Sequence, residues 1–194
     1  MKVKAILLSL SVLFFFAGCD VSKGVSSAYN MTQCKYDYKS ITDLNVAGMN
    51  LSNGISPVYI PKLTSLLSGK ASSIPLDFTL NLNVSNPNQG EAALRGAQYI
   101  LSIDDIEFTK GSINQSLNIP SGGSQVLPIS IGFDAAQYMK GETKDAVENI
   151  AKNFIGLGNR KSKVTIRLKP SFAIGNQTVT SPVYIPVSFS FGGK

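Results

Sequence analysis

The segment at 76–84, LDFTLNLNV, places apolar and polar residues in strict alternation, and this feature most constrains the fold. Successive side chains of a β-strand point to opposite faces, so this period predicts a strand with one buried face and one solvated face. The run stops at Asn86-Pro87-Asn88, because proline has no backbone donor for a ladder and asparagine favours a turn. The segment therefore predicts a strand in a sheet that is covered on one side.

The same alternation returns along the chain, with turn signals such as Asp104-Asp105 between the runs. The further alternating segments are 99–103, 127–133, 164–168 and 183–191. Many short strands at this spacing are typical of an antiparallel sandwich. The sequence thus predicts a mainly β fold with two layers.

Two segments depart from the alternation and indicate short helices at the periphery. Apolar residues recur at helical spacing in 143–156 and again in 61–69. The residues that would face the sandwich are Val147, Ile150, Ala151 and Phe154 in the first segment and Leu63, Leu66 and Leu67 in the second.

The hexapeptide SPVYIP occurs twice, at 56–61 and at 181–186. The first copy leads into helical spacing, where Pro61 suits a first turn, and the second leads into strand alternation, where Pro186 fits an edge or a bulge. The difference favours the same loop chemistry used before two kinds of element. An internal duplication is the alternative.

The N-terminus has the layout of a secretory signal. Lys2 and Lys4 precede an apolar run at 5–16, and the letters FAGC at 16–19 follow. This ending resembles a bacterial lipobox, in which small residues precede a cysteine that becomes lipidated. Cys19 is therefore the predicted lipidation site, and a conventional signal peptide is the alternative.

Three regions follow from this reading. Residues 1–18 are the predicted signal peptide, and 19–34 are the lipidated cysteine with a polar, aperiodic segment that we expect to be a flexible tether. Residues 35–194 are long enough for a single domain with its own core. The apolar run is too short for a transmembrane helix, so the expected location is the cell envelope, with a lipid anchor in either the inner or the outer membrane.

The residue inventory argues against catalysis. The chain has no histidine, which is the commonest general base and the commonest metal ligand in proteins. Its one tight acidic group, Asp104, Asp105 and Glu107, is better explained as a charged turn than as catalytic or calcium-binding carboxylates. We therefore expect no enzyme activity, no catalytic residue, no cofactor and no metal.

The charge pattern and the cysteine content argue against a nucleic-acid-binding protein and a disulfide-stabilised protein. Arg160, Lys161 and Lys163 form the one basic cluster, and without interleaved aromatic residues it indicates a solvated loop and no nucleic-acid partner. With Cys19 acylated, Cys34 has no cysteine partner, so a disulfide framework is excluded. Four tyrosines are open to two interpretations, a contact surface or ordinary packing: Tyr36, Tyr38, Tyr59 and Tyr184.

The order of motifs from 80 to 133 resembles the late embryogenesis abundant type 2 family, also called the water stress and hypersensitive response (WHy) domain. The matching positions are Asn86-Pro87-Asn88, Leu94, Tyr99, Gly111, Ile119-Pro120 and Leu127-Pro128. The resemblance implies an immunoglobulin-like or fibronectin type III-like sandwich, an association with stress, and no established catalytic residues. The helix at 143–156 then looks like an elaboration found in bacterial lipoprotein members.

Two functions of different kinds remain. The first is a membrane-anchored, non-catalytic envelope module that binds or stabilises envelope components, with a protein or lipid as its partner. The second is a carrier of a lipid or apolar ligand in a cleft between the sandwich and its helices. Edge protection by the helices is the simpler explanation of their apolar stripes.

Overall fold

The computed structural model describes residues 20–68, 70–139, 143–154 and 156–193, without the side chains of Leu67 and Phe154. In chain order, its first elements are α1 (20–32), β1 (Lys35–Val46), β2 (Met49–Asn50), a 3-10 turn (Pro57–Tyr59), α2 (Ile60–Leu67), β3 (Pro75–Ser85), β4 (Ala92–Leu94) and β5 (Gly96–Ile103). They are followed by β6 (Ile106–Ile113), β7 (Leu117–Ile119), β8 (Ser124–Asp134), a 3-10 turn (Ala135–Tyr138), α3 (Lys144–Phe154), β9 (Ser162–Ile174), β10 (Gln177–Thr180) and β11 (Ile185–Phe191).

Every strand pair among these elements is antiparallel. A four-stranded sheet has the order β2-β1-β3-β8, and a five-stranded sheet has the order β10-β9-β5-β6, with β11 also paired to β9. β4 and β7 form a separate two-stranded sheet. The prediction of a mainly β fold with antiparallel sheets is confirmed.

The inward faces of the two large sheets contribute to one hydrophobic core. Its fully buried members include Leu80, Leu82, Leu127 and Ile129 from the four-stranded sheet and Leu101, Ile103 and Ile166 from the five-stranded sheet. The alternation in β3 has the predicted sense, because every apolar position from Leu76 to Val84 is buried.

Side-chain contacts join the two sheets directly. The Tyr99 hydroxyl donates to Ser130 O at 3.1 Å, which ties β5 to β8. The Phe108 and Phe133 ring centroids lie 5.0 Å apart, and the Tyr38 ring stacks on Phe189 at 4.2 Å. Aromatic pairs at these distances stabilise the layers beyond the area they bury.

The two predicted peripheral helices are present. α2 begins with Pro61 in its first turn and buries Leu63. α3 buries Val147 and Ile150 as predicted. The side chain of Phe154 and the whole of residue 155, both in the predicted helix, lie outside what the structure describes. The hexapeptide copies also differ as predicted, since one enters α2 and the other enters β11, which pairs with β9 alone among the described strands.

The expected flexible tether is the main correction. Residues 20–32 form α1, which packs on the domain and buries Ala28 and Met31. The segment gave no helical signal because most of its inward positions, such as Gly24 and Ser27, are small or polar instead of large and apolar. A smaller correction concerns Val183, which precedes β11 and is 61% exposed.

Candidate functional site

The packing of α1 on the domain is close enough to require particular residues. A Cβ atom at Gly24 would lie 2.6 Å from Ala173 O in β9, so only glycine allows the helix to approach the strand this closely. At the other end of α1, the Met31 side chain is fully buried. The helix is therefore a docked part of the domain.

Asn86 is the centre of the region on which α1 docks. It is 1% exposed, and its Nδ2 donates to Gly90 O at 2.8 Å, Ile119 O at 3.0 Å and Pro120 O at 3.1 Å. Its Oδ1 accepts from the backbone and the side-chain nitrogens of Asn88. A buried polar group that is fully hydrogen-bonded in this way fixes the positions of its partners. Asn86 thus links the end of β3 to the end of β7.

Asn88 extends this network to the helix. Its Nδ2 donates to Asn30 O at 3.0 Å, and Asn30 Nδ2 donates in turn to Glu91 O at 2.9 Å. The carbonyl of Asn30 lies in the last turn of α1, where helix carbonyls lack intrahelical partners. We call Asn30, Asn86 and Asn88 the asparagine cluster.

Cys34 and Tyr36 complete the contacts behind α1. The Cys34 thiol is buried and donates to Asn30 O at 3.4 Å, and burial raises its pKa from 9.0 to about 11. The Tyr36 hydroxyl donates to Met31 O at 3.1 Å, and desolvation raises its pKa above the ordinary tyrosine value. Both groups stay protonated at neutral pH, so they act as hydrogen-bond donors and not as nucleophiles.

Further positions of the family resemblance also have packing roles. A Cβ at Gly111 would lie 2.7 Å from the Tyr99 Oη atom, so the lack of a side chain at Gly111 leaves the space that the Tyr99 ring occupies. Leu94, Ile119 and Leu127 are buried in the core. These positions place side chains and backbone groups of the domain.

The acidic group at 104–107 forms the predicted turn. Asp104 and Asp105 both have positive φ, as a tight hairpin between β5 and β6 requires, and Asp104 Oδ1 accepts from Lys163 N at 2.7 Å. Glu107 pairs with Arg167 at 3.3 Å. Within the described part of the chain, no three His, Cys, Asp or Glu side chains are grouped so that they could hold a metal ion.

The four tyrosines have different surroundings. Tyr36 is partly buried behind α1, Tyr38 stacks on Phe189, and Tyr59 packs at the border of the core. Tyr184 is 40% exposed and lies beside two cations, described below. Tyr36 and Tyr59 therefore have packing roles, while Tyr38, 43% exposed, and Tyr184 both lie at the surface.

The surroundings of α3 bear on the carrier hypothesis. The open cleft beside α3, of about 470 Å³, is lined mostly by charged and amide side chains such as Asp145, Glu148 and Asn149. Asn149 and Asn153 both donate to Arg160 O and Ser162 Oγ, which ties α3 to the start of β9. Val147 and Ile150 of α3 are buried in the core and do not line this cleft.

The predicted lipidation site Cys19 and the predicted signal peptide 1–18 lie outside the described residues. The described part of α1 begins at the next residue, Asp20. Among the helices that the structure describes, none is long and apolar enough to cross a membrane.

The comparisons with known proteins concern the family and the fold. The model of the late embryogenesis abundant protein family (LEA_2) matches residues 81–188. No curated protein matches the chain. Similar solved structures include a protein from Archaeoglobus fulgidus, 13% identical, with a TM-score of 0.37 over 81% of this chain and 98% of that one.

Two further structures are similar at the same level. The solution structure of a protein described as late embryogenesis abundant is 14% identical, with a TM-score of 0.39, and covers 98% of this chain and 89% of its own. A protein from Arabidopsis thaliana is 9% identical, with a TM-score of 0.37, and the match covers 80% of this chain and 76% of that one.

Proposed function

The chain belongs to the late embryogenesis abundant (LEA_2) family, and on that premise we propose that it is a bacterial, lipid-anchored, non-catalytic module of the cell envelope. In this proposal Cys19 carries the lipid, and the domain is of the water stress and hypersensitive response type. Its role is to bind or stabilise envelope components under stress. The domain has no nucleic-acid partner.

The docking of α1 is the observation that carries the proposal. The described part of the helix begins at Asp20, and the helix is held by the close contact at Gly24 and by the asparagine cluster. A Cβ at Gly175, in the turn between β9 and β10, would lie 3.3 Å from Val21 Cγ2, so the helix begins beside this turn. An acyl chain on Cys19 would then hold this end of the domain at the membrane surface.

The sandwich assignment is part of the same proposal. Its support is the shared core of two antiparallel sheets and the contacts between them at Tyr99, Phe108 and Tyr38. An immunoglobulin-like or fibronectin type III-like sandwich packs two such sheets face to face around alternating inward residues. Folds of this class carry many unrelated functions, so the fold alone names no ligand.

The chemistry of the described residues supports a non-catalytic role. The sequence has no histidine. The Cys34 thiol is buried with a raised pKa, and Asp104 accepts a backbone hydrogen bond in a turn. A catalytic thiol nucleophile needs a lowered or matched pKa beside a substrate site, whereas burial raises the pKa of the Cys34 thiol.

Lipidation is tested by metabolic labelling with a palmitate analogue. The wild type should carry the label, while Cys19→Ser should not. Cys34→Ser is the matched control, since it removes the other cysteine and should keep the label. Equal labelling of wild type and Cys19→Ser would remove the lipoprotein assignment.

A further inference from the structure

The outward face of the five-stranded sheet carries a concentration of positive charge. Along β9, Val164, Ile166 and Leu168 are buried, and the residues between them point outward. The basic residues on this outward face are Lys163, Arg167 and Lys169 in β9 and Lys110 in β6. We call these four residues the basic face.

The strand register places three of them close together. Ile100 of β5 pairs with Lys110 on one side and with Arg167 on the other, so the two cations flank one residue. Gln98, two residues before Ile100, pairs with Lys169. Since neighbouring strands lie about 4.8 Å apart, the Cα atoms of Lys110 and Arg167 are about 10 Å from each other. Like charges at this spacing favour an anionic partner.

Acidic residues balance part of this charge at the end of the sheet near the turn between β5 and β6. Glu107 pairs with Arg167 at 3.3 Å, and Asp104 and Asp105 lie in the turn beside Lys163. That turn is at the opposite end of the sheet from Ala173, which contacts α1. The acidic residues of β5, β6, β9 and the turn between β5 and β6 therefore lie toward the end away from α1, while Asp20, the first described residue of α1, lies near the other end.

Tyr184 adds an aromatic group to the basic face. The Arg167 Cζ atom lies 6.0 Å and the Lys169 Nζ atom 5.5 Å from the Tyr184 ring centroid. The ring is 40% exposed, and the adjacent Val183 is 61% exposed. Cations together with an exposed tyrosine and an aliphatic side chain are typical of a surface that meets lipid headgroups.

The outward face of the other sheet has a different character. It is a ladder of amides and hydroxyls, in which Asn81 Nδ2 donates to Ser40 Oγ and Thr42 Oγ1 at 3.2 and 3.1 Å. Its charged residues, such as Asp37 and Asp77, include both signs together with lysines of β1. Of the two outward sheet faces, that of the five-stranded sheet is thus the one with more basic than acidic residues.

We propose that the basic face binds the anionic phospholipid headgroups of the membrane in which Cys19 is anchored. The inference rests on the proposed function, because the lipid would bring this face within reach of the headgroups. The start of α1 lies beside the turn between β9 and β10, at the edge of the same sheet. The domain therefore lies along the membrane on this sheet instead of standing away from it.

The expected effect follows from the charge of the face. A basic residue near an anionic membrane strengthens binding about fivefold. Removal of three such residues should therefore weaken binding by roughly a hundredfold at low ionic strength, and by less where salt screens the charges.

Vesicle binding tests the inference without the lipid anchor. The chain from residue 19 onward with Cys19→Ser retains every described residue and is mixed with vesicles of equal parts phosphatidylcholine and phosphatidylglycerol, or of phosphatidylcholine alone. Co-sedimentation should show binding to the anionic vesicles that weakens as salt is added. The triple variant Lys110→Gln/Arg167→Gln/Lys169→Gln in the same chain should lose most of that binding.

The matched control removes the same charge elsewhere. Lys35→Gln/Lys39→Gln/Lys70→Gln changes three exposed lysines outside the basic face and should keep binding within about threefold of the parent, since these residues lie away from the proposed contact. Thermal unfolding of both variants verifies that each is folded.

Two results would overturn the inference. The first is that the parent does not bind anionic vesicles, as expected if this surface fits an acidic protein instead. The second is that the triple variant and the control variant lose vesicle binding equally. The labelling of Cys19 is read separately, so a failure of lipidation and a failure of the basic face are distinguishable.

Discussion

Replacement of Asn86 by alanine should be among the most damaging single changes at the α1 end of the domain. The Asn86 side chain has two N–H donors that serve three carbonyl groups, and its oxygen accepts two further hydrogen bonds from Asn88. The two N–H donors and the two accepted bonds together count as four hydrogen bonds. Each contributes about 1 kcal/mol net, so their loss should cost on the order of 4 kcal/mol. The total stability of a domain is about 5 to 15 kcal/mol, so this loss is a large fraction.

Asn86→Asp sharpens the test because it keeps the size and the acceptor but replaces the donor. At neutral pH its carboxylate would face the carbonyl oxygens of Gly90, Ile119 and Pro120, so it should destabilise at least as much as alanine. A protonated carboxyl donates one hydrogen bond, so the defect should shrink in acid relative to Asn86→Ala.

The assay is urea unfolding at equilibrium, with midpoints compared at equal slopes. Asn118→Ala is the matched control, since Asn118 is an exposed residue of β7 beside Ile119, and it should change the free energy of unfolding by less than about 0.5 kcal/mol. If Asn86→Ala unfolded at the same urea concentration as Asn118→Ala, the structural role given to Asn86 would be wrong.

Two further changes probe other contacts. Gly111→Ala should cost about 1 to 3 kcal/mol in thermal or urea unfolding, because its Cβ displaces the Tyr99 ring, and the exposed Ser112→Ala should not. Cys34 should react with a thiol reagent far more slowly in the folded protein than in urea at pH 8, because burial raises its pKa to about 11. The folded state favours the protonated thiol, so the contribution of Cys34 to stability is complete below the ordinary thiol pKa and is lost as pH rises through the folded pKa. Fast reaction of the Cys34 thiol in the folded protein would contradict its burial.

The strands could be predicted from the sequence because their signal is local. Alternation between Leu76 and Val84 already specifies which face is buried, and Asp104-Asp105 specifies a turn through its own conformational preference. The prediction for Val183 is wrong because the alternation in the sequence starts two residues before Ile185, where β11 begins.

The docked helix could not be predicted in this way, for two physical reasons. Its close approach depends on Gly24, whose lack of a side chain gives no hydrophobic signal. The role of Asn86 depends on carbonyl groups such as Ile119 O, which are distant in sequence. The family resemblance did mark Asn86-Pro87-Asn88 and Gly111, but only the structure shows which groups they contact.

Hydrogen exchange of the amides at 20–32 in the full-length, membrane-extracted protein measures whether α1 is docked on the domain. We expect slow exchange in the wild type, because α1 is docked through Gly24 and the asparagine cluster. Asn88→Ala should speed exchange in 20–32 while the amides of β3 and β9 stay protected. Exchange of 20–32 at the rate of an unstructured chain in the wild type would contradict the docked helix and restore a flexible tether.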